Sequence, residues 1–216
     1  PINDKATAQW CVIGALAALQ QRHVTGKGRV IDTSLLDSAA AGVDTSLATY
    51  HVTGELSPRT GTAASTIVPY QVFETADNPM VIAAGYDRLF HKLAAALGFP
   101  EWARDPRFAR GRDRFEHRDV LIGLIAAVVR TRPRAQWIAA FQSVGVPCSP
   151  VNTIAKLEQT EQFDASDLLR ALPGSGLRVV GLPIAFDGER PHPHSGAPKL
   201  GEHNDEILGV GGRITP

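Results

Sequence analysis

Cysteine is nearly absent from this chain: two in 216 residues, Cys11 and Cys148, both in apolar surroundings. Neither has a metal-ligand or redox spacing, so a disulfide framework and a Cys-based zinc site are excluded. The pair reads instead as buried free thiols in a reducing, cytoplasmic compartment. An excess of either charge is absent too. Lys+Arg and Asp+Glu both number 22, which leaves no electrostatic footprint for nucleic acid or an anionic membrane. The longest apolar run, residues 10–19, is about half of what a membrane span needs. It also lacks the charged flank of a secretory signal.

What is present is the composition of an ordinary globular protein, 44% apolar and 20% charged. The chain starts at Pro1 without a methionine and enters an apolar helix at once, an opening expected of a fragment of something larger. Asp4 stands where an N-cap is expected, ahead of a helix over 5–23 that Gly26 should stop. The helix is apolar nearly all round, so it is expected inside a large core, with Gly14 marking a close backbone approach. A strand over 29–35 and a second small-residue helix over 37–52 complete an α/β pattern.

Residues 54–68 change character: Pro58, Gly61 and a run of Thr, Ala and Ser read as a linker or a loop built for close approach. Two β-rich runs, 70–74 and 80–84, flank Asp77-Asn78-Pro79 and predict a hairpin. Helices are expected over 87–97, 118–129 and 134–144, with Leu89, Phe90, Leu93, Leu121, Ile122 and Leu124 in one core. The most basic stretch, 104–118, interleaves Arg with Asp105, Asp113 and Glu116 and reads as a solvated helical surface. Beyond Pro150 a helical region over 153–172, a strand pair at 177–180 and 182–186, and a short helix from near Gly201 are predicted. No internal repeat is present.

Several motifs fail on inspection. Gly26-Lys27-Gly28 lacks the Ser/Thr after Lys and the upstream glycine of a phosphate loop, so it reads as a turn. His192, His194 and His203 have no carboxylate or thiol completing a ligand pattern, so no metal is expected. No Gly-x-Ser-x-Gly elbow supports a hydrolase triad. Asp4 alone would be read as a helix cap.

A longer pattern changes that reading. Asp4 leads a helix ending Ile13-Gly14-Ala15-Leu16-Ala17-Ala18-Leu19, followed by Thr25-Gly26-Lys27-Gly28 and by Asp32, Ser34, Leu35, Asp37 and Ser38. Further along come Val68-Pro69-Tyr70-Gln71-Val72-Phe73, Leu97-Gly98, Asp105-Pro106-Arg107-Phe108, the run 145–151, Gly181-Leu182-Pro183 and the run 198–208. In this order they resemble the class III (CaiB/BaiF) CoA-transferase family over nearly the whole chain.

The resemblance implies an α/β fold: part of a Rossmann-like large domain plus a small α+β domain, in a homodimer of interlocked subunits. Residues 1–55 and 176–216 would belong to the large domain, 56–67 to an active-site loop, and 68–175 to the small domain and its connecting helices. Asp4 would be the catalytic carboxylate, with acyl-CoA and a carboxylic acid as partners, coenzyme A as substrate and no permanently bound cofactor. CoA-binding residues would lie mostly upstream of Pro1, so the chain alone would be inactive. Arg59, Gly61 and Thr62 would belong to the substrate loop, where the family pattern Arg-x-Gly-Asn-x-His-Pro departs to Thr62, Ala64 and Ser65. Two other readings stay open: an α-methylacyl-CoA racemase-like isomerase using the same Asp, and a silent fragment or oligomerisation module. Tyr70-Gln71-Val72-Phe73 leans towards transferases.

Overall fold

The β-rich runs around Asp77 form the expected hairpin in the computed structural model, which describes residues 1–208. Strands β1 (Tyr70–Phe73) and β2 (Met80–Ala83) pair antiparallel, with Tyr70 opposite Ala83 and Phe73 opposite Met80. Alternation decides their faces: Phe73, Met80 and Ile82 are buried, as a half-covered pleated strand requires. The sheet order is β1-β2-β3, with β3 at Cys148–Pro150; the Ala83 N–H donates to the Pro147 carbonyl at 3.0 Å.

Helices cover the apolar face of this sheet. Helix α4 (Asp87–Leu97) ends at Gly98, whose φ of +92° takes the left-handed conformation that favours glycine. Then come a 3-10 turn (Pro100–Ala103), α5 (Gly111–Glu116), α6 (Arg118–Val129) and α7 (Arg134–Ser143). Phe90, Leu93, Phe108, Leu121, Ile125, Trp137 and Phe141 close one core with the strands, and Leu89 and Ile122 pack against it. Each fully buried side chain of this size contributes roughly 1.5–3 kcal/mol. Leu124 does not join them. It is exposed on the outer side of α6, between the buried Leu121 and Ile125.

The start of α7 is held from far away in sequence. Its N-cap position is Pro133, which has no side-chain oxygen to offer, and the Arg134 N–H donates instead to Asp77 Oδ1 at 2.7 Å. Thr75 Oγ1 and the Asn78 N–H donate to the same oxygen, at 2.7 and 2.8 Å. These bonds, the one from Arg134 foremost, pull the Asp77 carboxyl down to about 2.

Three helices make up most of the first 53 residues. Helix α1 runs Ile2–Thr25 and ends at Gly26 (φ +69°), whose N–H reaches the Arg22 carbonyl at 2.8 Å. Helices α2 (Leu35–Gly42) and α3 (Asp44–Thr53) replace the single helix expected over 37–52. The break falls at Val43 (φ −118°), between Gly42 and Asp44, two poor helix formers; Asp44 Oδ1 takes the Thr45 N–H instead. The strand expected over 29–35 is not formed. A strand needs a partner edge, and among the described residues none lies beside it.

The expectation of a buried α1 is also corrected for this chain. No α1 residue is buried; Trp10 is 49% exposed and Leu16 61%. Cys11 is likewise exposed rather than buried. Gly14 behaves as expected: a Cβ there would stand 2.8 Å from Ile31 Cγ2, so side chain and backbone already touch.

Contacts divide the chain into one unit, Pro1–Cys148, and a second beginning at Ser149. In the second, two short helices, α8 (Ile154–Glu158) and α9 (Glu161–Ala165), occupy part of the region expected to be helical. Thr153 and Thr160 cap them by accepting the Lys156 and Phe163 N–H groups. The remainder turns into strand β4 (Leu169–Ala171), which pairs antiparallel with β5 (Arg178–Val180). Residues 182–186 therefore do not pair with 177–180 as expected; β5 has taken the partner upstream of it, and Phe186 makes only a bridge to Glu189. The last helix, α10, covers Asn204–Leu208.

Candidate active site

Asp4 lies in the first turn of α1, not before it. Pro1 is the N-cap, with no side-chain cap bond, and the first helical hydrogen bond runs from Lys5 N–H to the Pro1 carbonyl at 3.3 Å. The N-cap reading of Asp4 is thus corrected, and the correction has a chemical consequence. A capping carboxylate spends an oxygen on the backbone; Asp4 is exposed and its side chain makes no hydrogen bond or ion pair among the described residues. It sits among the unpaired N–H groups of the first turn, where the helix dipole favours an anion.

Behind it, α1 passes over residues 31–41. An open cavity of about 390 Å³ there is lined by Trp10, Ile13, Gly14 and Ile31 together with Asp32, Thr33, Asp37, Ser38 and Ala41. Two of the polar members, Asp37 and Ser38, are committed locally. Ser34 caps α2 by accepting the Asp37 N–H (3.0 Å) while donating to Asp37 Oδ2 (2.7 Å), and Ser38 Oγ donates back to the Ser34 carbonyl (3.0 Å).

The loop over 59–65 is tied down from within. Thr60 Oγ1 donates to the Ala63 carbonyl at 2.7 Å across Gly61, whose φ of +63° makes the turn possible. Thr62 Oγ1 accepts the Val72 N–H at 3.2 Å, and the Ala64 N–H donates to the Tyr70 carbonyl at 2.9 Å. The loop therefore covers the free edge of β1. Arg59, Gly61 and Thr62 are exposed, and no hydrogen bond or ion pair among the described residues joins them to Asp4.

The stretch 104–118 holds what the sequence reading missed. Arg114 is fully buried, not solvated. Its Nε donates to the Val68 carbonyl (2.9 Å), Nη1 to Phe108 (2.9 Å) and Nη2 to Gly85 (2.5 Å), while it pairs with Asp87 at 2.8 Å and stacks over Phe90. Four residues on, Arg118 Nη2 donates to the Ala64 carbonyl at 2.6 Å. Arg114 lies in α5 and Arg118 opens α6, and nothing in the sequence separates these two arginines from the solvated ones around them.

A larger cavity of about 660 Å³ in the second unit is lined by Asp167, Arg170, Glu189, Arg190 and His192 among others. Its cations are engaged nearby: Arg170 pairs with the Asp167 carboxylate, and Arg190 donates to the Ser166 and Leu182 carbonyls. Among the described residues no group of three or more His, Cys, Asp or Glu gathers at a metal-binding geometry. No helix there is long and apolar enough to cross a membrane.

Comparison with known proteins decides the family. The model of CoA-transferase family III matches residues 1–204. The chain belongs to CoA-transferase family III. Acetyl-CoA:oxalate CoA-transferase of Acetobacter aceti is 33% identical over 202 residues, covering 93% of this chain and 51% of that protein. Succinyl-CoA:glutarate CoA-transferase of Mus musculus is 30% identical over 210 residues, 96% of this chain and 48% of its own. A CaiB/BaiF family protein from Brucella suis superposes with a TM-score of 0.77 at 32% identity, over 95% of this chain and 54% of that one. The chain spans about half the length of these relatives.

Most of the motifs that carry this family-III resemblance have structural duties. Ser34, Asp37 and Ser38 build a cap, Gly26 and Gly98 end helices, and Asp105 clamps the Arg107 N–H and guanidinium at 2.9 and 2.7 Å while Phe108 fills the core. Asp4 has no such duty.

Proposed function

We propose that this chain is the catalytic-aspartate half of an acyl-CoA:carboxylate CoA-transferase in which Asp4 is the nucleophile. The observation that carries the reading is the unengaged Asp4 carboxylate in the first turn of α1. An Asp4 oxygen attacks the thioester carbonyl of the donor and expels the CoA thiolate, leaving a mixed anhydride. The thiolate attacks the aspartyl carbonyl, the donor acid leaves as a carboxylate, and an aspartyl-CoA thioester remains. The acceptor carboxylate then attacks that thioester and expels the thiolate. The thiolate returns to the acceptor's carbonyl, releasing Asp4 and the new acyl-CoA. Both enzyme-bound intermediates remain activated acyl groups, so little free energy is lost between steps. The free N–H groups at the start of α1 are suited to the developing oxyanions.

Relatives whose names specify oxalate, citramalate or glutarate support a small, polar carboxylic acid as acceptor. The loop at 59–65, with Arg59, Gly61 and Thr62, faces the substrate. CoA is held mainly by residues outside this chain, which by itself is inactive. In the complete protein residues 1–55 and 176–216, of which 209–216 lie outside the described residues, belong to the large domain and 68–175 to the small domain and its connections, and two copies interlock as a dimer. The exposed apolar face of α1 supports that assembly.

The test uses the complete gene product. Acyl-CoA followed by hydroxylamine yields a hydroxamate on Asp4, read by peptide mass spectrometry. Asp4→Asn and Asp4→Ala both abolish adduct and turnover. Because Asp4 is not a cap, both change stability by no more than about 1 kcal/mol. Transfer surviving in Asp4→Asn, or an adduct on another residue, overturns the reading. Exchange of the α-hydrogen with solvent deuterium, without transfer, assigns the chain to racemase-like chemistry instead.

A further inference from the structure

Two arginines hold the segment that leads from the substrate loop into β1. Arg114 takes the Val68 carbonyl and Arg118 the Ala64 carbonyl, so residues four apart on one side grip carbonyls four apart on the other. The two grips differ in kind. Arg114 has five polar partners and a ring, sits wholly inside the core, and joins Val68, Gly85, Asp87, Phe108 and Ala109. Among the described residues Arg118 makes a single hydrogen bond, to Ala64, and lies 5.4 Å from the Phe115 ring, while its Nε atom is shielded and finds no partner there. A half-buried cation whose shielded Nε–H is left over is not placed to satisfy itself. What its position achieves is the hold on Ala64.

That hold matters because of where Ala64 sits. Its N–H is on the Tyr70 carbonyl, and two residues earlier Thr62 accepts the Val72 N–H. With Arg118 on its carbonyl, the Ala64 peptide is pinned on both sides, and the turn at Gly61 projects from a fixed base.

We infer that Arg118 is a positioning residue for the transfer reaction: through Ala64 it sets the loop that carries Arg59, Gly61 and Thr62, and so keeps water from the activated aspartyl group. The inference rests on the transferase reading above. The aspartyl-CoA thioester is open to hydrolysis whenever the site admits water, so a loosened loop changes the fate of the intermediate more than its formation.

The experiment uses the complete protein with Arg118→Ala and Arg118→Lys. Amide hydrogen exchange at Ala64 and Val72 rises in Arg118→Ala while exchange within α4 does not change. Acyl-CoA hydrolysis relative to CoA transfer rises about tenfold in the same variant, and the hydroxamate still forms on Asp4. Arg118→Lys, which keeps a charged donor, recovers part of both effects. A hydrolysis-to-transfer ratio equal to that of the unaltered protein, or unchanged exchange at Ala64, overturns the inference. If the unaltered protein gives neither adduct nor transfer, the functional reading falls, and this inference with it. Global loss of protection in Arg118→Ala, extending through α4, also overturns it, since Arg118 would then be a structural residue alone.

Discussion

Residues 68–148 and residues 1–53 are comparably rich in Leu, Val, Ile and Ala, yet only one of them encloses its own core. In the first, strands and helices arrive from several directions and bury Phe90, Leu93, Ile125 and Phe141 completely. In the second, three helices in succession bury only Ser38, whose hydroxyl is used locally. Apolar content says that a segment will be covered; it does not say by what. A helix that is apolar all round has more faces than two neighbouring helices can cover.

The largest expected effect tests this contrast directly. In this chain alone Phe90→Ala costs about 3–5 kcal/mol in chemical denaturation followed through the 68–148 region. Leu16→Ala costs no more than about 0.5 kcal/mol there, because its side chain is already mostly in water. In the complete protein the Leu16→Ala cost rises to about 2–5 kcal/mol if the α1 face is covered as proposed. Equal costs for Phe90→Ala and Leu16→Ala in this chain would erase the contrast.

The thiols sharpen it. Cys11 is exposed on α1; Cys148 is half-buried, and burial pushes its thiol up. Since the thiolate is the reactive form, alkylation of this chain near neutral pH modifies Cys11 roughly tenfold faster. Protection of Cys11 in the complete protein would mark the covered face, and faster reaction at Cys148 in this chain contradicts the exposure of α1.

The smallest effect concerns the remote cap. The Asp77 carboxyl is lowered to about 2, first by the Arg134 N–H and then by Thr75. A depressed carboxylate stabilises the fold above its unfolded value, near 4, and that contribution is lost as pH falls towards 2. The stability of the 68–148 region therefore falls between about pH 4 and 2, and Asp77→Asn removes that part of the dependence. An unchanged acid profile in Asp77→Asn rules out this role.

Legibility in the sequence follows the same division. The hairpin, α4, α6 and α7 were readable because their partners lie within a few dozen residues and the apolar period repeats against a core the chain itself supplies. Gly26 was readable as a stop because the requirement for positive φ is local. Residues 29–35 and 182–186 have strand composition, but composition cannot supply a partner edge. Val43 breaks a helix that periodicity alone would continue. Arg114 was misread because neighbouring charges imply solvent, whereas its carbonyl partners come from residues 68, 85 and 108. For the candidate site, Asp4 was legible only through the family pattern, and its freedom from capping emerged from geometry. The internal hydrogen bonds of the loop at 59–65 were not readable, since Thr and Ala there could serve any turn.

The neighbours of Ala83 have a consequence for how such proteins arise. Ala83 pairs with Tyr70 on one side, and its N–H reaches Pro147 on the other. The point where the chain enters the 68–148 region and the point where it leaves therefore lie two strand spacings apart, about 10 Å. A segment whose ends meet so closely can be spliced into a host loop without prising the host open, as tolerated domain insertions are. It can also diverge in size and surface while its host keeps its own architecture. Residues 66–150 expressed alone are therefore expected to fold as a free-standing module, which cooperative denaturation of that segment would check.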